Sequence, residues 1–150
     1  MDELRDLYQA TILDHNRKPR NFRTIEAPDR YANGHNPICG DKLVVFLALD
    51  DNRVTDVAFQ GIGCAISVAS ASLMTDYARG KTLDEIELEF ERFHQMVTSS
   101  PNSPLDTQGL GKLAVFSGVR EFPMRVKCAT LAWHTLRAAL DQDADVARTE

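Results

Sequence analysis

Three cysteines and one aspartate carry the chemistry that this sequence can do. The stretch Asn33-Gly34-His35-Asn36-Pro37-Ile38-Cys39-Gly40-Asp41 sets a thiol and a carboxylate either side of one glycine, in a turn just before an apolar run. Cys64 follows Gly61-Ile62-Gly63, and Cys128 follows Phe122-Pro123-Met124-Arg125-Val126-Lys127. Three thiols and a carboxylate make four ligands, the number that closes a tetrahedral Zn²⁺ site, and both donor types suit zinc. Spacing alone does not single zinc out, because the chain has no CxxC pair and no HExxH. Taken singly, each cysteine reads as a small buried hydrophobe. Together they read differently: Gly40, Gly61 and Gly63 permit tight turns beside two of the thiols, and Pro37 stiffens the approach to the first. Cys64 and Cys128 are each expected to open a helix, where free N–H groups and the macrodipole favour a thiolate.

The elements that must position these residues follow from the hydrophobic pattern. From Asp2 to about Asn16 the chain predicts an amphipathic helix, with Leu4, Leu7, Tyr8, Ile12 and Leu13 on one face, ended by Pro19. Tyr31 to Asn36 is an extended segment entering the cysteine turn. Lys42–Leu49 and the alternating Arg53–Gln60 predict a β-hairpin about Asp50-Asp51-Asn52. Its first strand leaves Cys39 and Asp41 and its second returns to Cys64, so both thiols arrive at one end. Ala65 to Arg79 predicts a helix with a small Ala/Ser face, closed at Gly80. Thr82 and Glu85 form a capping box for the next helix, whose acidic run (Asp84, Glu85, Glu87, Glu89, Glu91) reads as a solvated face or a docking surface. The polar segment Thr98–Pro104 suggests an insertion. A short helix at 113–119 follows, and then a last helix opening at Cys128, with Leu131, Ala132, Thr135, Leu136 and Ala139 inward. Residues 1–140 are expected to form one domain and 141–150 a flexible tail.

At 150 residues and 43% hydrophobic, the chain can bury a proper core. A net charge of −5 with scattered basic residues argues against a nucleic-acid surface. Arg17-Lys18-Pro19-Arg20 reads as a basic helix end. No apolar run is long enough to span a bilayer and no signal peptide is visible. The expectation is a cytoplasmic protein whose odd cysteine count fits a reducing compartment.

Asn36-Pro37-Ile38-Cys39-Gly40-Asp41, Gly61-Ile62-Gly63-Cys64-Ala65-Ile66-Ser67, and Lys127-Cys128 with Trp133 resemble the NifU N-terminal/IscU-like family of iron–sulfur assembly proteins. The likeness starts at Leu7-Tyr8 and runs to the last helix. The insertion at 98–109, and Lys127 where IscU-type scaffolds carry a histidine, resemble the SufU branch. This resemblance implies an α+β fold with a small antiparallel sheet covered by helices, and zinc held by Cys39, Asp41, Cys64 and Cys128. It also implies sulfur transfer, with Cys39 accepting persulfide sulfur from a SufS-type, PLP-dependent cysteine desulfurase for the downstream SUF proteins. In that branch a histidine of the desulfurase is thought to replace the acceptor cysteine on zinc. A metal-bound thiolate is deprotonated but its lone pairs are engaged, so such an exchange would gate its reactivity.

Around this core, Arg125 is a candidate to steer an anionic persulfide or pair with Asp41, and equally an ordinary surface arginine. His35, near Cys39, is a candidate supporting donor or alternative ligand, whereas His15, His94 and His134 read as packing or surface residues. Three rival readings remain. The same ligands can hold a [2Fe–2S] cluster on a scaffold, and a structural zinc domain binding a partner needs no reactive thiol. A zinc hydrolase or deaminase fits less well: Pro-Cys-x-x-Cys and His-x-Glu are absent, and four protein ligands leave no place for water.

Overall fold

The computed structural model describes residues 2–141 and 147–148. Helix α1 (Asp2–Arg17) leads into strands β1 (Arg30–Asn36), β2 (Asp41–Asp50) and β3 (Arg53–Ile62). Helices α2 (Ala65–Ala78) and α3 (Leu83–Thr98), a 3₁₀ run over Gly111–Glu121, helix α4 (Pro123–Leu140) and the two-residue strand β4 (Ala147–Arg148) follow. The sheet order is β3-β2-β1-β4, antiparallel within the first three strands and parallel where β4 meets Gly34 and His35. This is the α+β architecture expected, although the expected tail falls mainly outside the described residues.

Alternation decides which face of the sheet is covered. Leu43, Val45 and Leu47 of β2 are fully buried, while Val44 and Phe46 between them are only half-buried. The helices α2 and α4 lie on the first of these faces. There α4 meets β1 directly at Gly34, where a Cβ would stand 1.9 Å from Thr135 Oγ1. Helix α2 is buried nearly all round, through Ser67, Ala69, Ser70, Ala71, Ser72, Leu73, Met74 and Thr75. Such small side chains let it sit close to its neighbours while their hydroxyls find partners: Ser70 donates to Ala129 O at 2.6 Å, and Ser72 Oγ meets His15 Nδ1 at 2.7 Å. The β3 edge is closed by backbone bonds in which the Arg23 N–H donates to Phe59 O and the Phe59 N–H donates to Asn21 O, each at 3.0 Å. The polar segment after α3 is held by Arg120, whose guanidinium donates to Ser99 Oγ, Ser100 O and Ser103 O at 3.1 Å each.

Four local expectations are corrected. Helix α1 buries His15 and packs through Tyr8 and Ile12, leaving Leu7 and Leu13 exposed; the partner it must satisfy is the Ser72 hydroxyl rather than an apolar stripe. The short helix expected over 113–119 is a longer 3₁₀ run. Cys128 does not open α4, which starts at Pro123 because proline's fixed φ suits the first helical position; the thiol sits in the second turn. Glu89 belongs to the acidic run yet is 2% exposed, and among the described residues its one ion pair is with Arg92, at 4.0 Å. Burial pushes its pKa up, so it is destabilising once the pH rises from the ordinary carboxyl range through the folded value. Glu89→Gln is therefore expected to raise the Tm at neutral pH and to change little at pH 4. Gly34→Ala should cost about 1–3 kcal/mol through overpacking against Thr135, read by thermal melting, and Thr135→Ala should recover part of that loss.

Candidate metal centre

The tight connection between β1 and β2 is the cysteine loop itself. Asn36 and Asp41 are cross-strand partners, so Pro37-Ile38-Cys39-Gly40 forms the hairpin tip. Gly40 takes φ +75°, a left-handed conformation that favours glycine, and its N–H donates to Asn36 O at 2.8 Å. β2 and β3 then run antiparallel, Lys42 facing Ile62, and return the chain to Gly63 and Cys64 at the same end of the sheet. The second turn of α4, packed across β1 and β2, brings Cys128 there.

Asp41 ties these three pieces together. Its side chain is fully buried, Oδ1 accepts the N–H of Cys64 at 2.9 Å, and Oδ2 lies 3.4 Å from Asn36 Nδ2. Gly63 makes this approach possible, since a Cβ there would stand 2.8 Å from Asp41 Oδ1. Asn36, also fully buried, turns the same Nδ2 toward Cys128 Sγ at 3.7 Å, and its Oδ1 accepts the N–H of Ile38 at 3.3 Å. Cys128 Sγ lies 3.5 Å from Cys39 Sγ.

Ligating atoms of Cys39, Asp41 and Cys128 fall within 4.8 Å of one another. Two sulfurs on one tetrahedral zinc stand about 3.8 Å apart, so this cluster is sized for a single ion, and its thiol-rich donors suit zinc or iron alike. Cys64 is not within that mutual distance. It caps α2, its Sγ accepting the N–H of Ser67 at 3.5 Å. A hydrogen bond from Cys128, helped by the Ser67 N–H, pulls the Cys64 thiol down to about 6. Cys128 moves the other way: donating to Cys64, buried, and close to Cys39 and Asp41, it is held protonated. A metal bound here would displace the thiol protons. Beside the cluster the Ser67 hydroxyl is buried with no hydrogen-bond partner among the described residues.

His35 is not brought to the cluster. It follows the buried Gly34 and precedes the buried Asn36, so it belongs to the outer face, where it lines a groove with Lys42, Val44, Gln60 and Ile62. Arg125 is exposed, its guanidinium 4.4 Å over the Phe122 ring, and among the described residues no ion pair joins it to Asp41. His94 and His134 pack with Phe90 between α3 and α4. Sequence reasoning gave no role to Asn36 or Ser67. Asn36 had one available signal, its place directly before the proline that bends the cysteine loop; Ser67 had none.

The family described as NifU-like N-terminal domain matches residues 7–141. An iron–sulfur cluster assembly scaffold protein IscU from Streptococcus pyogenes is 35% identical, over 97% of this chain and 89% of that protein. The zinc-dependent sulfurtransferase SufU of Bacillus subtilis is also 35% identical, over 91% of each chain. Among solved structures, a candidate scaffold for the SUF system from Fervidobacterium islandicum superposes with a TM-score of 0.78 at 34% identity, covering 87% of this chain and 93% of that one. Among the described residues no helix is long and apolar enough to cross a membrane. Because Asn36 contacts both Asp41 and Cys128, Asn36→Ala is expected to weaken metal binding at this cluster about 10–100-fold, measured with Zn²⁺ as the probe in competition with a chromophoric chelator.

Proposed function

The chain belongs to the NifU-like N-terminal domain family, and on that premise we propose that it is a zinc-dependent sulfur-transfer protein of iron–sulfur cluster assembly. It takes persulfide sulfur from a SufS-type, PLP-dependent cysteine desulfurase in the cytoplasm and hands it to the SUF machinery. The observation that carries this reading is Cys39, an exposed thiol at a hairpin tip, standing against Asp41 and Cys128. Cys39, Asp41, Cys64 and Cys128 would hold the zinc; Cys64 completes the set by turning its Sγ from the Ser67 N–H. When bound, the ion keeps its thiols deprotonated at neutral pH.

The acceptor chemistry belongs to Cys39. Its thiolate attacks the outer sulfur of the donor's persulfide, a new S–S bond forms on Cys39 as the donor's S–S bond breaks, and the donor cysteine leaves as a thiolate. No oxidant is required. Gly40, with nothing within 4 Å of where a Cβ would be, leaves the tip free to meet a protein donor. Arg125, exposed three residues before Cys128, adds a cation at the rim that can steer an anionic persulfide.

The second reading, a scaffold for a [2Fe–2S] cluster, is favoured by the same thiol and carboxylate donors and by equal identity to the IscU relative. Two observations favour sulfur transfer over it. Lys127, which cannot serve as a ligand while charged, stands next to Cys128, and the segment before the 3₁₀ run, which resembles the SufU-type insertion, is pinned by Arg120. Protein purified without added metal should contain about one zinc per chain, should raise the turnover of a SufS-type desulfurase, and should lose that effect on Cys39→Ser. Iron with inorganic sulfide in place of zinc would instead establish the scaffold. Stimulation indifferent to Cys39 would sink the acceptor role.

A further inference from the structure

We propose that the cleft between α1 and the 3₁₀ run is a binding site for an organic monocarboxylate. The carboxylate head is held by His15, Arg20 and Lys112, and an apolar body lies against Leu7, Tyr8 and Val115. These residues line one open cavity of about 470 Å³, within the usual range for small-molecule sites. The cleft is separate from the thiol cluster, because Ser72, the partner of His15, lies eight residues along α2 from Cys64, a rise of about 12 Å. It stands or falls independently of the sulfur-transfer reading.

His15 carries the inference. The residue is 3% exposed and lines the cavity. Ser72 Oγ accepts the Arg20 N–H at 2.8 Å and lies 2.7 Å from His15 Nδ1. Among the described residues the Ser72 proton has no other acceptor, so Nδ1 accepts it and the neutral ring carries its own proton on Nε2. Burial first, and then the Arg20 cation, hold the ring's pKa below its ordinary value, which keeps it in this form at neutral pH. Nε2 has no partner among the described residues and is not one of their fully enclosed orphan atoms, so it is reached from the cavity that the ring lines. The ring thus offers the cavity a fixed N–H donor, and charge selects the acceptor. Of the charged groups lining the cavity, Arg20 is paired with Asp14 at 2.7 Å, whereas Lys112 has no ion pair among the described residues. Two cations and one carboxylate leave a single positive charge beside a neutral histidine, which one carboxylate balances and a dianionic phosphate would exceed. The body of the ligand follows from the other walls: Leu7 is an apolar side chain 60% exposed on α1, and it faces solvent across the same opening as Tyr8 and Val115.

The test follows the full-length protein by two-dimensional NMR while hexanoate, hexanol or inorganic phosphate is added. Hexanoate is expected to give saturable shifts of the His15 Nε2 resonance and of the Leu7 and Lys112 backbone amides. Lys112 is exposed, so Lys112→Met should leave the Tm unchanged while weakening hexanoate about tenfold. Hexanol, which keeps the body and lacks the charge, should bind at least about tenfold more weakly than hexanoate, and phosphate should leave the His15 ring resonance in place. Equal binding of hexanol would reduce the cleft to an apolar groove and overturn the inference. So would a preference for phosphate, an unaltered affinity in Lys112→Met, or no saturable shift up to about 10 mM hexanoate, a range in which ligands of this size register.

Discussion

A buried carboxylate holds this end of the molecule together. Asp41 is fully buried and reaches the N–H of Cys64 at 2.9 Å and the Asn36 amide at 3.4 Å, so one side chain joins the β1–β2 tip to the β3–α2 junction. A buried charge is costly unless it is hydrogen-bonded, and here its partners come from the segments that carry the thiols. Moving any of these segments would strand the carboxylate. The cluster's geometry is therefore enforced by the need to satisfy Asp41, with Gly63 supplying the space.

Within that frame the three thiols are not equivalent. Cys64 is pulled toward the thiolate by donors on both sides, Cys128 is the protonated donor at the centre, and Cys39 is exposed at the tip with Cys128 as its sulfur neighbour. Burial sets Cys128 apart from the two exposed thiols, and hydrogen bonding sets Cys64, the cap of α2, apart from Cys39, the proposed acceptor. That division would not arise if all three sat equally deep in the core.

Much of this was legible in the sequence because the signals were local or periodic. The hairpin came from alternation in Arg53–Gln60 and the apolar Lys42–Leu49, and its antiparallel return predicted that Cys39 and Cys64 share one end. The capping box at Thr82 and Glu85 is present, with both reciprocal bonds formed. What was not legible depended on partners distant in the chain. Nothing local to Glu89 says that its stretch of α3 is covered, and nothing near His15 says that a serine 57 residues later will satisfy it. The start of α4 was misplaced because Pro123 ends extended chain as readily as it begins a helix. Asn36 lay in plain view, but its role needs Asp41 and Cys128 in space.

Cys64 is at once a sulfur donor and the cap of α2, its Sγ receiving the Ser67 N–H that would otherwise go unanswered at the helix start. Caps of this kind are worth about 1 kcal/mol, more when the acceptor is charged. Whatever takes that sulfur, whether an ion, an alkylating agent or a second sulfur atom, withdraws the cap, and the first turn of a helix buried in the core registers the change. The reactive end and the packed interior thus share an atom, and the fold carries a built-in gauge of the chemical state of its own site.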